Sequence, residues 1–117
     1  MLIRIDNDEL VEYPDDLVVM MLASPFYGDL GDESDWSIEE LNCLIHAMLG
    51  TFCDDTLTLD QNIEKIKRVY AQLGPPDVNN LARAQALVKF YNDNLTASEI
   101  GHSDWETIRA VFPFQNN

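Results

Sequence analysis

Two stretches of this chain carry apolar residues at the spacing of an α-helix, and a capping box precedes each of them. In the first box the Ser37 side chain accepts a hydrogen bond from the backbone N–H three residues later, and the Glu40 side chain accepts one from the backbone N–H of Ser37. Thr58 and Gln61 repeat this relation ahead of the second stretch. Because the apolar residues recur every three or four positions, each stretch predicts an amphipathic helix with one buried face. The two faces comprise Ile38, Leu41, Leu44, Ile45, Met48, Leu49 and Phe52, and Ile63, Ile66, Val69, Tyr70 and Leu73.

Glycine and proline indicate where these helices end. Gly50 marks the end region of the first helix, and Gly74 with the two prolines that follow it ends the second. Asp77 is then placed to cap another helix, since an aspartate side chain accepts the orphan N–H groups of a first turn. The apolar face of that helix comprises Val78, Leu81, Ala84, Val88, Tyr91 and Leu95.

The region before these helices carries shorter elements. Apolar and β-branched residues at 2–5 and 10–13 predict a short β-hairpin. Pro14 followed by two aspartates predicts the start of an apolar helix over residues 17–23, because proline and negative charge both suit a first turn. Glycine, proline and four acidic residues within 24–36 predict an exposed loop.

The chain is therefore expected to be mostly α, a compact single domain over residues 1–117 built as a bundle of four to six helices with a short N-terminal β-hairpin. Its 117 residues, 46% of them hydrophobic, suffice for one domain with its own core. Two further capping boxes begin at Thr96 and Ser103. The second leads a short helix carrying Trp105, Ile108 and Phe112.

Several features favour a cytoplasmic location. There is no run of about 18 apolar residues that could span a bilayer. Acidic residues interrupt every candidate apolar segment near the start of the chain, which excludes a secretory signal. The two cysteines, Cys43 and Cys53, suit a reducing compartment better than a disulfide-bonded secreted domain.

The negative charge is large and unevenly placed. The net charge is −14, from 21 acidic and 7 basic residues. Residues 1–60, the acidic half, hold 15 of the acids and a single base, Arg4. Residues 61–117, the neutral half, hold six acids and six bases. An asymmetry of this kind bears on partners rather than on fold.

Chemistry at cysteine and histidine is the first alternative to consider. Cys43 and His46 lie three positions apart on a predicted helix, so they could form a thiolate pair, or a zinc site with Cys53 or His102. There is no second closely spaced ligand pair, and Cys43 adjoins the apolar stripe, where a free cysteine is usually part of the core. We expect neither a nucleophile nor a zinc site.

Calcium binding, acid–base catalysis and direct nucleic-acid binding are further alternatives. Residues 29–40 have the length of a calcium-binding loop, but Ser34 stands where the loop requires glycine. Adjacent carboxylates at helix starts are explained by capping, and no phosphate loop is present. Lys65, Lys67 and Arg68 share their helix with Glu64 and do not form a basic face. We expect no metal, no cofactor, no enzymatic activity and no direct contact with nucleic acid.

The charge predicts a basic protein as the partner. A small domain needs a net charge of only about 2–8 for solubility, and adaptation to high salt would spread the acids over the whole chain. DNA carries one negative charge per ~1.7 Å of axis, so rows of carboxylates can occupy the same cleft. The sequence predicts a non-catalytic, DNA-mimic inhibitor, either a phage or mobile-element inhibitor of a nuclease, CRISPR or restriction system in the host cytoplasm, or an immunity protein. A small helical assembly factor or adaptor without enzymatic activity is the alternative.

These functions predict different surfaces. An inhibitor would present one continuous acidic face, with Trp36, Phe26 or Tyr27 as an aromatic anchor. An assembly factor would expose an apolar patch around those aromatics or around Phe112 and Phe114, and an enzyme would hold His46 or His102 in a pocket. The residues expected to contact the partner are Asp15, Asp16, Asp29, Asp32, Glu33, Asp35, Trp36, Glu39, Glu40, Asp54 and Asp55.

Overall fold

A computed structural model describes residues 1–5, 9–25 and 28–95. This part of the chain is mostly helical, with a short antiparallel hairpin at its start, which confirms the predicted fold class. The capping boxes at Thr96 and Ser103, and the short helix after them, lie outside the described residues. In chain order the elements are β1 (Leu2–Arg4), β2 (Leu10–Glu12), α1 (Asp15–Leu22), a 3₁₀ helix (Glu33–Asp35), α2 (Ile38–Phe52), α3 (Leu59–Gln72) and α4 (Val78–Asn94).

The predicted helix starts are confirmed by their hydrogen bonds. Ser37 Oγ accepts from the Glu40 N–H at 3.1 Å, and Glu40 Oε1 accepts from the Ser37 N–H at 3.1 Å. Thr58 and Gln61 form the same reciprocal box at the start of α3. Asp77 caps α4 by accepting from a backbone N–H in its first turn. Local side-chain chemistry therefore determines where three of the helices begin.

Gly50 lies in the last turn of α2, as predicted for the end region, and the helix continues to Phe52 before Cys53 follows it. The apolar stripe continues beyond this glycine. Phe52 packs edge-to-face on Tyr70 of α3, with ring centroids 5.4 Å apart and an angle of 74° between the ring planes. This packing outweighs the helix penalty of one glycine, about 1 kcal/mol.

The described residues of the predicted loop over 24–36, namely 24, 25 and 28–36, are mostly exposed as expected, and they also include buried and helical positions. Ser24 and Leu30 are buried, and the 3₁₀ helix lies within the segment. Two contacts with the α4 region hold the backbone: the Asp77 N–H donates to the Ala23 carbonyl at 2.7 Å, and Asn80 Nδ2 donates to the Gly28 carbonyl at 3.0 Å. These contacts join positions more than 50 residues apart in the chain, so local turn residues could not indicate them.

The core lies between the helices and the inner face of the hairpin. α1 packs on α4 and α3, and α2 packs on β1, α3 and α4. α1 buries four of its eight residues, in agreement with its apolar sequence. The largest fully buried side chains are those of Tyr91, Ile3, Leu17, Met21, Leu22, Leu41, Leu44, Ile45, Met48, Leu49, Ile66 and Leu87.

A buried asparagine joins the hairpin to two helices. Asn42, on α2, is 1% exposed. Its Oδ1 accepts from the Arg4 N–H at 3.0 Å and from the Tyr91 hydroxyl at 2.7 Å, and its Nδ2 donates to the Arg4 carbonyl at 3.1 Å. The Tyr91 hydroxyl also lies 2.9 Å from the Leu2 carbonyl. The network therefore connects β1, α2 and α4, with its polar groups satisfied inside the core.

Candidate partner-binding surface

The acidic segment over residues 29–35 is held in shape by its own carboxylates. Asp29 Oδ1 accepts from the Gly31 N–H at 2.9 Å. Asp32 Oδ1 accepts from the Ser34 N–H at 2.9 Å and from the Ser34 hydroxyl. Asp35 Oδ2 accepts from the Asp32 N–H at 3.2 Å, which completes a capping box around the 3₁₀ helix. The charges of this exposed segment are thus presented in a defined arrangement.

Hydrogen bonds also keep several of these carboxylates ionised. The Gly31 N–H and then the Arg83 guanidinium lower the pKa of Asp29. The Ser34 hydroxyl and N–H lower the pKa of Asp32, and the Thr56 hydroxyl and N–H lower the pKa of Asp54. A donor to a carboxylate favours its charged form. These three groups therefore carry full negative charge at neutral pH.

The acidic segment lies against α4. Arg83 of α4 forms an ion pair with Asp29, 54 residues earlier in the chain. Further along α4, Glu33 lines a groove of about 230 Å³ whose other walls are Ala86, Lys89, Phe90, Asp93 and Asn94. Lys89 is paired with Asp93 within the helix. The groove therefore combines an apolar floor with a rim that carries two carboxylates and one lysine.

Asp15 and Asp16 lie near the other end of α4. Asp15 Oδ2 accepts from Asn92 Nδ2 at 3.0 Å, and Asp15 Oδ1 lies 2.8 Å from the Met1 amino group. Arg83 and Asn92 are nine residues apart on α4, a distance of roughly 13 Å along the helix axis. Nine residues are about two and a half turns of a helix, so Arg83 and Asn92 project from opposite sides of α4, and Asp29 and Asp15 contact this helix on two different flanks.

The remaining candidate carboxylates lie at the two ends of α2. Glu39 and Glu40 are in its first turn, while Asp54 and Asp55 follow its last residue. A helix of 15 residues is roughly 22 Å long, so these two pairs are far apart. The candidate residues thus form four groups: 15–16 and 29–35 on two flanks of α4, 39–40 at the start of α2, and 54–55 at its end. Any partner that contacts all of them must be extended.

The candidate anchor Trp36 is half-buried and packs against the core. Its Nε1 donates to the Leu30 carbonyl at 3.0 Å, which helps to fix the acidic segment. A contact with a partner through its exposed edge stays a prediction. Phe26 and Tyr27, the other two candidate anchors, lie outside the described residues.

The left-handed backbone of Gly31 leads to a test of the acidic segment. Its φ is +72°, and a Cβ there would collide with the Asp35 carboxylate. Gly31→Ala should therefore lower the free energy of unfolding by about 1–2 kcal/mol, the cost of left-handed backbone for an L-residue. Gly28→Ala is the matched control, because nothing lies within 4 Å of a Cβ at that position. Urea denaturation measures both, and equal effects would contradict the assigned geometry.

Within the described part of the chain, both cysteines and His46 are shielded from solvent to different degrees. Cys43 and His46 are buried within α2. Cys53 is half-buried, with its Sγ 4.0 Å from the Tyr13 hydroxyl oxygen. Burial raises the pKa of both Cys53 and Tyr13, so the thiol stays protonated at neutral pH and is a poor nucleophile. His102 lies outside the described residues.

Metal ligation and membrane insertion find no support within residues 1–5, 9–25 and 28–95. No group of three or more potential metal ligands occurs there. In the 29–40 segment, the Asp29 carboxylate accepts hydrogen bonds from the Gly31 N–H and from Arg83. Every helix in this part of the chain is too short or too polar to span a bilayer.

Three buried asparagines, not identified from the sequence, hold the hairpin, the turn after α2 and the segment before the 3₁₀ helix. Asn42, Asn62 and Asn80 are all buried. Asn62 accepts from the Asp54 N–H at 2.9 Å and donates to the Asp54 carbonyl at 3.1 Å, so it holds the turn that carries Asp54 and Asp55. A usable signal was present: Asn62 and Asn80 each lie four positions before a buried residue of the apolar stripe, Ile66 and Ala84 respectively. A polar residue on a buried helix face requires a partner.

Comparison with known proteins identifies no relative. No family model, curated protein or solved structure matches the chain.

Proposed function

We propose that the protein is a non-catalytic inhibitor that binds a basic, nucleic-acid-handling protein and occludes the surface with which that protein holds phosphates. The observation that carries the proposal is an acidic half of 15 acids and one base whose candidate carboxylates are nearly all exposed. Asp54, which is half-buried, is the exception. Such a surface is complementary to the lysines and arginines of a nucleic-acid cleft.

Two features favour a mimic of phosphates rather than a surface that merely carries charge. The carboxylates of Asp29, Asp32 and Asp35 are bound by backbone N–H groups, so little side-chain freedom is lost when a partner binds. The groups at 15–16 and 29–35 also lie on the two flanks of α4, so carboxylates border the exposed face of this helix from both sides. Long-range attraction would speed the encounter, and steric occlusion would then exclude the nucleic acid.

Two biological settings fit this activity. A phage or mobile element could use the protein against a host nuclease, CRISPR or restriction system, and a toxin-producing cell could use it as an immunity protein. Both settings require the same contact between carboxylates and a basic cleft. The identity of the captured partner distinguishes them.

The test begins with affinity capture from the source cells by the full-length protein, followed by mass spectrometry and purification of the captured protein. The partner should be basic and should bind a short labelled DNA or RNA duplex. The acidic protein should displace that duplex competitively, and its own affinity should fall as salt rises. Simultaneous binding of duplex and inhibitor, or an affinity that does not change with salt, would contradict the proposal.

One observation favours the alternative of a helical assembly factor or adaptor. Leu73 and Val78 flank the turn between α3 and α4 and are 39% and 82% exposed. If this apolar turn were the binding site, Val78→Ser would abolish capture of the partner. The inhibitor proposal expects Val78→Ser to leave binding unchanged.

A further inference from the structure

The pairing of the hairpin determines which backbone groups point away from it. The Tyr13 N–H donates to the Met1 carbonyl at 2.9 Å, and the Ile5 N–H donates to the Glu9 carbonyl at 2.8 Å. In an antiparallel pair, hydrogen-bonded and non-hydrogen-bonded positions alternate. The two pairs of positions between these bonds, 2 with 12 and 4 with 10, are therefore not hydrogen-bonded to each other. Their N–H and C=O groups point away from the neighbouring strand, toward the outer edges of the hairpin.

Side chains from the helices close the outer edge of β1. The Asn42 amide pairs with both backbone groups of Arg4, and the Tyr91 hydroxyl oxygen lies 2.9 Å from the Leu2 carbonyl oxygen. An unpaired strand edge is a template for another strand, and covering it is one way in which proteins prevent that pairing. No additional strand can therefore join the hairpin next to β1.

The outer edge of β2 is open. Within residues 1–5, 9–25 and 28–95, no hydrogen bond reaches the outward backbone groups of Leu10 or Glu12. Leu10 is 37% exposed, and the Glu12 side chain is 68% exposed. Four backbone groups, two donors and two acceptors, thus face outward beside an aliphatic and an acidic side chain.

We propose that the open edge of β2 binds an extended, basic segment of the partner as a third strand. This inference rests on the proposed function, and it specifies how part of the partner is recognised. Backbone hydrogen bonds supply affinity in this mode of recognition, while alternate side chains supply specificity. Because Leu10 and Glu12 share the outer face of the hairpin, the segment carries an aliphatic residue opposite Leu10 and lysine or arginine opposite Glu12.

Charge favours a basic segment over a second copy of this chain. Glu9 and Glu12 flank the open edge, and Asp15 and Asp16 follow it. The Met1 amino group contacts Glu12 and Asp15 and leaves both carboxylates more than half exposed. Two copies paired through this edge would place two acidic strands side by side, and the mutual repulsion of their like charges opposes that pairing. Arg4, the single base of the acidic half, lies on β1, which pairs with the opposite edge of β2.

The first experiment uses a synthetic peptide with lysine, valine and lysine at alternate positions and threonine between them. Amide exchange of the full-length protein is followed by NMR with and without the peptide. Exchange at Leu10 and Glu12 should slow at least tenfold when the peptide binds. A peptide of the same sequence, N-methylated at the backbone positions that face β2, keeps its charge but should give no such slowing.

A second measurement tests the charge. Glu12→Lys should weaken peptide binding about tenfold, since an attractive pair becomes a repulsive one. Glu64→Lys is the matched control, because Glu64 is exposed on α3 and the net charge changes equally. An equal loss in both variants would show that only overall charge matters and would overturn the inference.

The remaining outcomes are also decisive. Equal binding of the N-methylated peptide, or binding without protection at Leu10 and Glu12, would overturn strand addition. Amides already protected in the free protein would mean that the edge is covered by the chain itself or, if protection depends on concentration, by a second copy. If the captured partner displaces its duplex as proposed but leaves these amides unprotected, this inference fails while the proposed function stands.

Discussion

Replacing Asn42 by alanine is expected to lower the free energy of unfolding by about 3 kcal/mol. The substitution deprives the Arg4 N–H and the Arg4 carbonyl of their partner, while the Tyr91 hydroxyl loses one of its two acceptors and keeps the Leu2 carbonyl. Each buried polar group left unsatisfied costs about 1–3 kcal/mol, and the truncated side chain leaves a small cavity besides. Because the whole stability of a domain is only about 5–15 kcal/mol, the loss is large.

Urea denaturation followed by circular dichroism measures this effect. Asn79→Ala is the matched control, since Asn79 is an exposed asparagine in the first turn of α4, and its loss should change stability by less than about 0.5 kcal/mol. Tyr91→Phe removes only the hydroxyl and should cost about 1 kcal/mol. A loss below 1 kcal/mol for Asn42→Ala would mean that the network does not hold the hairpin.

Neutralising the acidic segment should slow association with the captured partner about tenfold at low salt. The variant combines Asp32→Asn, Glu33→Gln and Asp35→Asn. Asparagine still accepts the hydrogen bonds of a cap, whereas charge reversal at Asp32 would also remove the cap of the 3₁₀ helix. The slowing arises because steering by long-range charge sets the encounter rate, and salt should reduce the difference between variant and parent.

A control with the same change in net charge separates location from total charge. In the neutral half, on α3, Glu64→Gln, Ala71→Lys and Gln72→Lys change exposed positions and together also add three positive charges. Stopped-flow measurement should show a smaller effect for this control than for the neutralised acidic segment. Equal slowing would mean that the acidic segment has no special part in the encounter.

The helices were predictable because their signals are local. Ser37 with Glu40 and Thr58 with Gln61 bond within one turn, so their spacing alone identifies them. Gly50 indicated the end region of α2, but the last residue of the helix depends on the tertiary packing of Phe52 on Tyr70. The contacts that hold Ala23 and Gly28 could not be predicted for the same reason, since their partners, Asp77 and Asn80, lie at the start of α4.

The acidic surface was predictable in composition and not in arrangement. Counting charges located the excess in residues 1–60, and most of the candidate carboxylates are exposed. No periodicity indicates that Asp29 pairs with Arg83, or that Asp15 meets Asn92, because these contacts span 54 and 77 residues. The open edge of β2 could be identified only from the register of the hairpin, which no local signal in the sequence indicates.

The contact between Tyr91 and Leu2 joins residues 89 positions apart and has a consequence for synthesis of the chain. A ribosome adds about 5–20 residues per second, so Leu2 waits roughly 5–18 s before Tyr91 is made. During that interval the outer edge of β1 is open, and neighbouring nascent chains on one messenger RNA present the same edge. The acids of the first 60 residues emerge in the same interval, and their mutual repulsion keeps the unfinished chains apart.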